Sequence, residues 1–138
     1  MIATMTATLQ KLDNEPILIV THEGYLSLKD TEEVTARVIQ AMDAAETPLY
    51  GIIDLRSATS DFSEFMRILV YQSTGARGTL ANRESYVVLV GTNVLIRLFH
   101  NLMRERKLGG VTVSVYYNMD EALRAVRLRI EADAQQAG

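Results

Sequence analysis

The chain has 138 residues, 48% of them apolar and 22% charged, with a formal net charge of −3 and no cysteine. Length and balance fit one globular domain that buries its own core, and they exclude a disordered chain, a disulfide framework, thiolate metal sites and cysteine nucleophiles. No apolar run approaches the ~20 residues of a membrane span, and Met1-Ile2-Ala3-Thr4-Met5-Thr6 lacks the basic start and apolar stretch of a signal peptide, so a reducing cytoplasm is expected.

Residues 6–12 and 17–22 read as two strands joined by Asp13-Asn14-Glu15-Pro16, which is turn chemistry, so a hairpin is expected. Ile17-Leu18-Ile19-Val20 is the continuous apolar run of a strand covered on both faces, ended by Gly24. Asp30 or Thr31 caps a first helix, with Val34, Val38, Ala41, Met42 and Ala45 on one face and Thr47-Pro48 as its stop. Residues 49–55 form the next strand and Arg56 to Ser60 a polar loop. Ser60 or Asp61 then caps a second helix with the stripe Phe62, Phe65, Met66, Leu69 and Val70. Ile68 and Tyr71 fall off that stripe and are candidates for an exposed contact patch. The stretch from Gly75 to Glu84 breaks all periodicity and reads as a mobile loop.

Residues 85–91 are again a strand. Thr92 or Asn93 caps a third helix that turns Leu95, Leu98, Phe99, Leu102 and Met103 inward and stops at Gly109-Gly110, after Arg104, Arg106 and Lys107. Residues 111–116 alternate as an edge strand. Asn118-Met119-Asp120-Glu121 has capping-box spacing, and Ala122, Leu123, Val126 and Ile130 carry a fourth helix whose end, from Ala132 to Gly138, should fray. The order is β-β-α-β-α-β-α-β-α. It describes a single α/β domain over residues 1–138 with a mostly parallel sheet and an antiparallel N-terminal edge hairpin.

Charge is uneven: residues through Leu69 sum to −6 and those from Val70 onward to +3. Arg97 and Arg104 flank His100 at helical spacing. With a pI near 5.4, this reads as a solvated helix face, and nucleic acid is not the expected partner. Phosphate-loop, dinucleotide and nucleophile-elbow motifs are absent. Two distant histidines and no cysteine argue against zinc, and no cofactor is expected. His22 reads as a surface residue near a strand end and His100 as solvated.

Asp54, Thr92 and Tyr117 each sit where a β-branched run stops before a helix. In a parallel sheet such strand ends share one edge, where sites are built. The candidate polar residues there are Asp54, Ser57, Thr59, Ser60, Asp61, Ser63, Thr92, Asn93, Tyr117 and Asn118. Helix N-termini converging on that edge favour an anion, whereas Asp54 and Asp61 suit a cation or acid/base work. Ordinary helix capping uses the same residue types.

The element order, the run Gly51-Ile52-Ile53-Asp54-Leu55-Arg56 and the closing Asn118-Met119-Asp120-Glu121-Ala122-Leu123 resemble the STAS domain of anti-sigma-factor antagonists, in its divergent SpoIIAA-like branch, which also resembles the lipid-binding Sec14-type fold. The resemblance spans almost the whole chain. It implies a non-enzymatic regulatory module that binds a protein partner. In regulatory members an Asp-Ser-Ser/Thr-Gly stretch carries a phosphorylated residue. Here Asp61-Phe62-Ser63-Glu64 stands in that place, without the preceding Asp or following Gly, which implies that the serine switch is missing. Two alternatives remain open: a domain that holds a lipid or small apolar ligand on its apolar helix face, and an enzyme using Asp54 and Asp61. A homodimer or partner surface including Ile68 and Tyr71 is expected.

Overall fold

The computed structural model describes residues 6–105 and 112–137. Five strands form one sheet in the order β1-β2-β3-β4-β5: β1 (Thr6–Lys11), β2 (Ile17–Tyr25), β3 (Tyr50–Thr59), β4 (Val87–Val90) and β5 (Val115–Tyr116). β1 pairs antiparallel with β2, and every other pairing is parallel. Four helices complete the fold: α1 (Leu28–Ala44), α2 (Phe62–Gln72), α3 (Val94–Met103) and α4 (Met119–Ala137). Spatial strand order follows chain order, so crossovers of one hand bring α1, α2 and α3 to the same face of the sheet. The packing agrees. Leu18 and Val20 of β2 meet Val34 of α1, while Leu89 of β4 meets Phe65, Ile68 and Leu69 of α2 and Phe99 and Met103 of α3. Alternate residues Ile17, Ile52, Val88 and Val90 point to the other face, against Ala122 and Val126 of α4.

Several elements differ from the sequence reading. Gly24 does not end β2; it sits within the strand at φ 86, and pairing continues to Tyr25. Arg56 to Thr59 is strand, not loop, because β2 remains alongside: Glu23, Gly24 and Tyr25 oppose Ser57, Ala58 and Thr59. Between these stretches the register slips, since Thr21 to Glu23 is opposed by Asp54 to Ser57. The extra β3 residue is a bulge that re-aims the side chains after it, and it returns Ala58 to the face of Ile53 and Leu55. Helix α1 is capped by Ser27, whose Oγ accepts from the Asp30 N–H, rather than by Asp30 or Thr31. The strand expected over 111–116 pairs only at Val115–Tyr116 among the described residues. Helix α4 runs to Ala137, and Asp133 within it accepts a 2.6 Å bond from the Tyr50 hydroxyl and a 3.1 Å bond from Arg129. Gly109-Gly110, Arg106 and Lys107 lie outside the described residues.

The segment after α2, expected to be mobile, is tied down. Arg77 bridges Asp43 of α1 at 2.8 Å and Glu84 at 3.0 Å, and the Leu80 N–H donates to the Gln72 side-chain oxygen at 2.9 Å. Gly78 takes φ +85, with Thr35 and Ile39 packed where a side chain would be.

Candidate functional site

Helix α2 carries the largest correction. Its buried residues are Phe65, Ile68, Leu69 and Gln72, whereas Phe62 is 62% and Val70 56% exposed. Ile68, taken from sequence as a surface contact residue, is 6% exposed, so it cannot serve as a contact patch. Tyr71 beside it is half-buried. The stripe of apolar residues is wider than the buried face, and tertiary packing settles which edge of it turns inward. Glu64 accepts from the Leu28 N–H of α1 at 2.9 Å, which fixes one flank of α2 toward α1. At about 100° per residue, Phe62 and Met66 lie on the opposite flank, toward α3, whereas Val70 lies about 150° from the buried face and projects outward.

On α3 the buried residues are Ile96, Phe99 and Met103. His100, expected to be solvated, is half-buried and its Nδ1 bonds the Val113 carbonyl, which turns that flank toward β5. Leu98 and Leu102 occupy the other flank, toward α2, whereas Val94 lies about 170° from the buried face at 100° per residue and projects outward. Phe62 and Met66 of α2 and Leu98 and Leu102 of α3 thus line a groove over a floor made by the edge-to-face pair Phe65–Phe99, whose ring centroids are 5.7 Å apart. Val94, at 79% exposure, leaves one rim of this groove open to solvent. Arg97 and Arg104 of the same stretch are exposed, and neither makes an ion pair among the described residues.

The polar candidates are brought together only in part. Asp54 is buried within β3, on the side of the sheet taken by Ile52, and its carboxylate accepts from the Arg56 guanidinium at 3.0 and 2.8 Å and from the Arg56 N–H at 3.1 Å. These bonds hold its pKa below the usual carboxylate range despite burial. Asp61 instead caps α2 through a 2.9 Å bond from the Glu64 N–H and accepts the Tyr25 hydroxyl at 2.5 Å. The cap lowers the Asp61 pKa, and the Asp61 carboxylate pushes the Tyr25 phenol up to about 12. Each aspartate therefore has its own partner, and no bond or shared proton joins them, so the geometry supplies no acid/base dyad. Ser63 is exposed in the first turn of α2, in a shallow surface depression with Asp61, Tyr25 and Arg67. Ser57 and Thr92 are exposed. Asn118 caps α4 by accepting the Glu121 N–H at 2.9 Å, and Tyr117 beside it is 62% exposed. The Asn93 carbonyl accepts from the Ile96 and Arg97 N–H groups at the start of α3.

Beneath the α2–α3 groove, between these helices and the sheet, lies a cavity of about 90 Å³. Its lining is mostly apolar and includes Ile53, Leu55, Ala58, Ile68 and Phe99, with His22, Gln72 and Asn93 among its polar members. His22 is not a surface residue: it is 5% exposed, and burial lowers its pKa. It projects to the face of Leu18 and Val20 because it continues their alternation. A sequence signal existed, since residues 18, 20 and 22 share a face, but a histidine at the presumed end of a strand suggests solvent. Among the described residues, no group of three His, Cys, Asp or Glu side chains gathers as a metal set, and no helix is long and apolar enough to cross a membrane.

No family model and no curated protein matches the sequence. Solved structures do match in fold. An uncharacterised DUF3478-family protein with a SpoIIAA-like fold from Shewanella loihica is 14% identical, with TM-score 0.58 over 91% of this chain and 98% of that one. An anti-sigma factor antagonist from Mycobacterium paratuberculosis is 20% identical, with TM-score 0.56 over 90% and 95%. A serine-to-glutamate variant of RsbS from Moorella thermoacetica is 13% identical, with TM-score 0.60 over 91% and 97%. With its antiparallel edge hairpin, parallel remainder and three helices on one face, the chain has a SpoIIAA-like fold.

Proposed function

We propose that this protein is a non-catalytic regulatory module that binds a protein partner across the open groove between α2 and α3. The observation that carries this reading is the exposure of Phe62, Val70 and Val94, three large apolar side chains on the solvent sides of two neighbouring helices. Apolar surface gathered in this way marks an interaction site more often than isolated exposed residues do. The guanidinium groups of Arg97 and Arg104 nearby, without ion pairs among the described residues, favour an amphipathic segment with acidic residues. The fold shared with an anti-sigma factor antagonist supports a protein partner over a substrate.

A serine switch has no part in this reading. A phosphate on Ser63 would gain from the α2 N-terminus, but it would stand beside the Asp61 and Glu64 carboxylates. The neighbouring cation, Arg67, already pairs with Glu64 at 3.1 Å.

Photo-crosslinking in the producing cell tests the reading, with the crosslinker placed in turn at Val70, Val94 and, as a control on α4, Leu128. One acidic partner captured from both groove positions and not from Leu128, and lost with Phe62→Glu, is the expected result. Self-crosslinking would make the groove a homodimer surface. Equal labelling from all three positions would refute the groove as a docking site.

A second reading, a small-ligand domain, is favoured by the mostly apolar cavity between the helices and the sheet. An engineered cavity of ~150 Å³ holds one benzene, so about 90 Å³ admits a few heavy atoms.

A further inference from the structure

We infer that the depression at the amino-terminal ends of β4 and β5 is a binding site for a small organic phosphate, held by the guanidinium groups of Arg83 and Arg129. This inference is independent of the protein-partner reading. None of the groove residues lines the depression, which lies at the other end of the strands from Thr92 and Tyr117.

Three separate segments meet there. The stretch before β4 contributes Arg83 and Ser85, the stretch before β5 contributes Thr112 and Ser114, and α4 contributes Arg129. Every charged side chain among the described lining residues is a cation, and the remaining polar side chains are hydroxyls and one amide. Glu84, between Arg83 and Ser85 in the chain, does not line the depression, and its carboxylate is bonded to Arg77 at 3.0 Å.

The two arginines contribute differently. Arg129 is held in place: its guanidinium carbon lies 4.7 Å from the centroid of the Tyr86 ring, and its Nε donates to Asp133 at 3.1 Å. A cation fixed on two sides loses little side-chain freedom when a ligand arrives. Its two terminal nitrogens make no hydrogen bond to a described residue and remain available as donors. Asp133 compensates part of the Arg129 charge, so the net attraction falls to Arg83. Arg83 is exposed and has no ion pair among the described residues.

This arrangement selects the ligand. A phosphate monoester carries a charge of about −1.5 to −2 and three acceptor oxygens, so guanidinium groups from two segments and hydroxyls between them can meet it at once. A carboxylate has two coplanar oxygens, which a single guanidinium fork occupies. The depression has a volume of about 410 Å³. A bare phosphate has fewer heavy atoms than benzene, which a cavity of ~150 Å³ holds, so there is room for an organic body as well. Leu80, Val87 and Val113 supply apolar surface for it.

Glycerol 2-phosphate is the probe, titrated at low salt into the uniformly 15N-labelled chain and followed by NMR, with inorganic phosphate, glycerate and glycerol in parallel. The expected result is a saturable shift centred on the amides of Ser85, Tyr86, Thr112 and Ser114 and on the Arg129 Nε–H. Inorganic phosphate and glycerate should bind more weakly, and glycerol not at all. Arg83→Gln breaks no ion pair within the described fold and should weaken binding at least about tenfold, the order of one lost charge-assisted hydrogen bond. Arg129→Gln, with its fold checked in the same spectrum, should do likewise. Shifts that do not saturate, shifts centred elsewhere, or unchanged affinity in Arg83→Gln would overturn the site. Equal affinity for inorganic phosphate would remove the organic body from the inference, and tighter binding of glycerate would remove the phosphate. Tighter binding of a single-stranded oligonucleotide at the same amides would refute a small ligand in favour of nucleic acid.

Discussion

Ile68 and Val70 are two residues apart on α2, both β-branched and apolar, and the structure assigns them opposite fates. Ile68 is 6% exposed and packs against Leu89 and Phe99, whereas Val70 is 56% exposed. Replacing Ile68 by alanine removes three carbons from the core. At ~0.8 kcal/mol per buried methylene the transfer loss is about 2.4 kcal/mol, and a term for the space left behind raises it to about 3–4 kcal/mol. Collapse cannot recover much of this, because Ile68 already lines a cavity and its removal enlarges that space. Val70→Ala removes two carbons that water already reaches, and alanine is the better helix former by a few tenths of a kcal/mol. Its expected effect lies within about 0.5 kcal/mol of zero. Urea melts followed by far-UV circular dichroism measure both, with unchanged slopes as the check that the two states are the same. A loss below about 1 kcal/mol for Ile68→Ala, or a larger loss for Val70→Ala than for Ile68→Ala, would show that α2 is rotated from the position described and would remove the groove with it.

Gly78→Ala should lose at least ~1–3 kcal/mol in the same melts, because its φ is +85 and a new Cβ would stand 2.7 Å from Thr35 Cγ2; an effect near zero would mean that the Gly75–Glu84 segment does not pack on α1 as described. The pKa of His22 is lowered by burial, so below the unfolded value near 6.5 the unfolded chain binds the extra proton first; stability attributable to His22 is complete above pH ~6.5 and falls as pH drops toward the lowered folded pKa, by at most ~1.4 kcal/mol per pH unit. Comparing melts at pH 7.5 and 5.5 for the parent and His22→Gln tests this, and equal pH dependence in both would contradict a buried neutral imidazole. For Ser63, both Ser63→Ala and Ser63→Asp should retain the crosslinked partner, and intact-mass analysis of the protein from its producing cell should show no phosphate there; a phosphate at Ser63 together with loss of the partner in Ser63→Asp would restore a serine switch.

The succession of elements, and with it the fold, is written in the sequence. β-Branched runs separated by capped, helix-period segments leave few arrangements once crossovers share one hand, and the observed sheet order β1 to β5 is the simplest of them. Caps written in local chemistry, such as Asn118 on α4 and Asp61 on α2, were legible for the same reason: a cap bonds to residues two or three positions away. Contacts between distant segments were not. The bulge that keeps β3 extended through Thr59 exists because β2 lies beside it, and nothing within residues 56–60 announces a partner that far back in the chain. The apolar stripe on α2 is wider than its buried face, so its periodicity suits two rotations of the helix. The bond from Leu28 to Glu64 and the packing of Phe65 on Phe99 select the rotation that buries Ile68 and exposes Phe62. The same tertiary decision gave Asp54 and Asp61 separate partners and brought His22 inside. Burial is a property of what packs on a side chain, and local sequence sets only which residues are able to accept it.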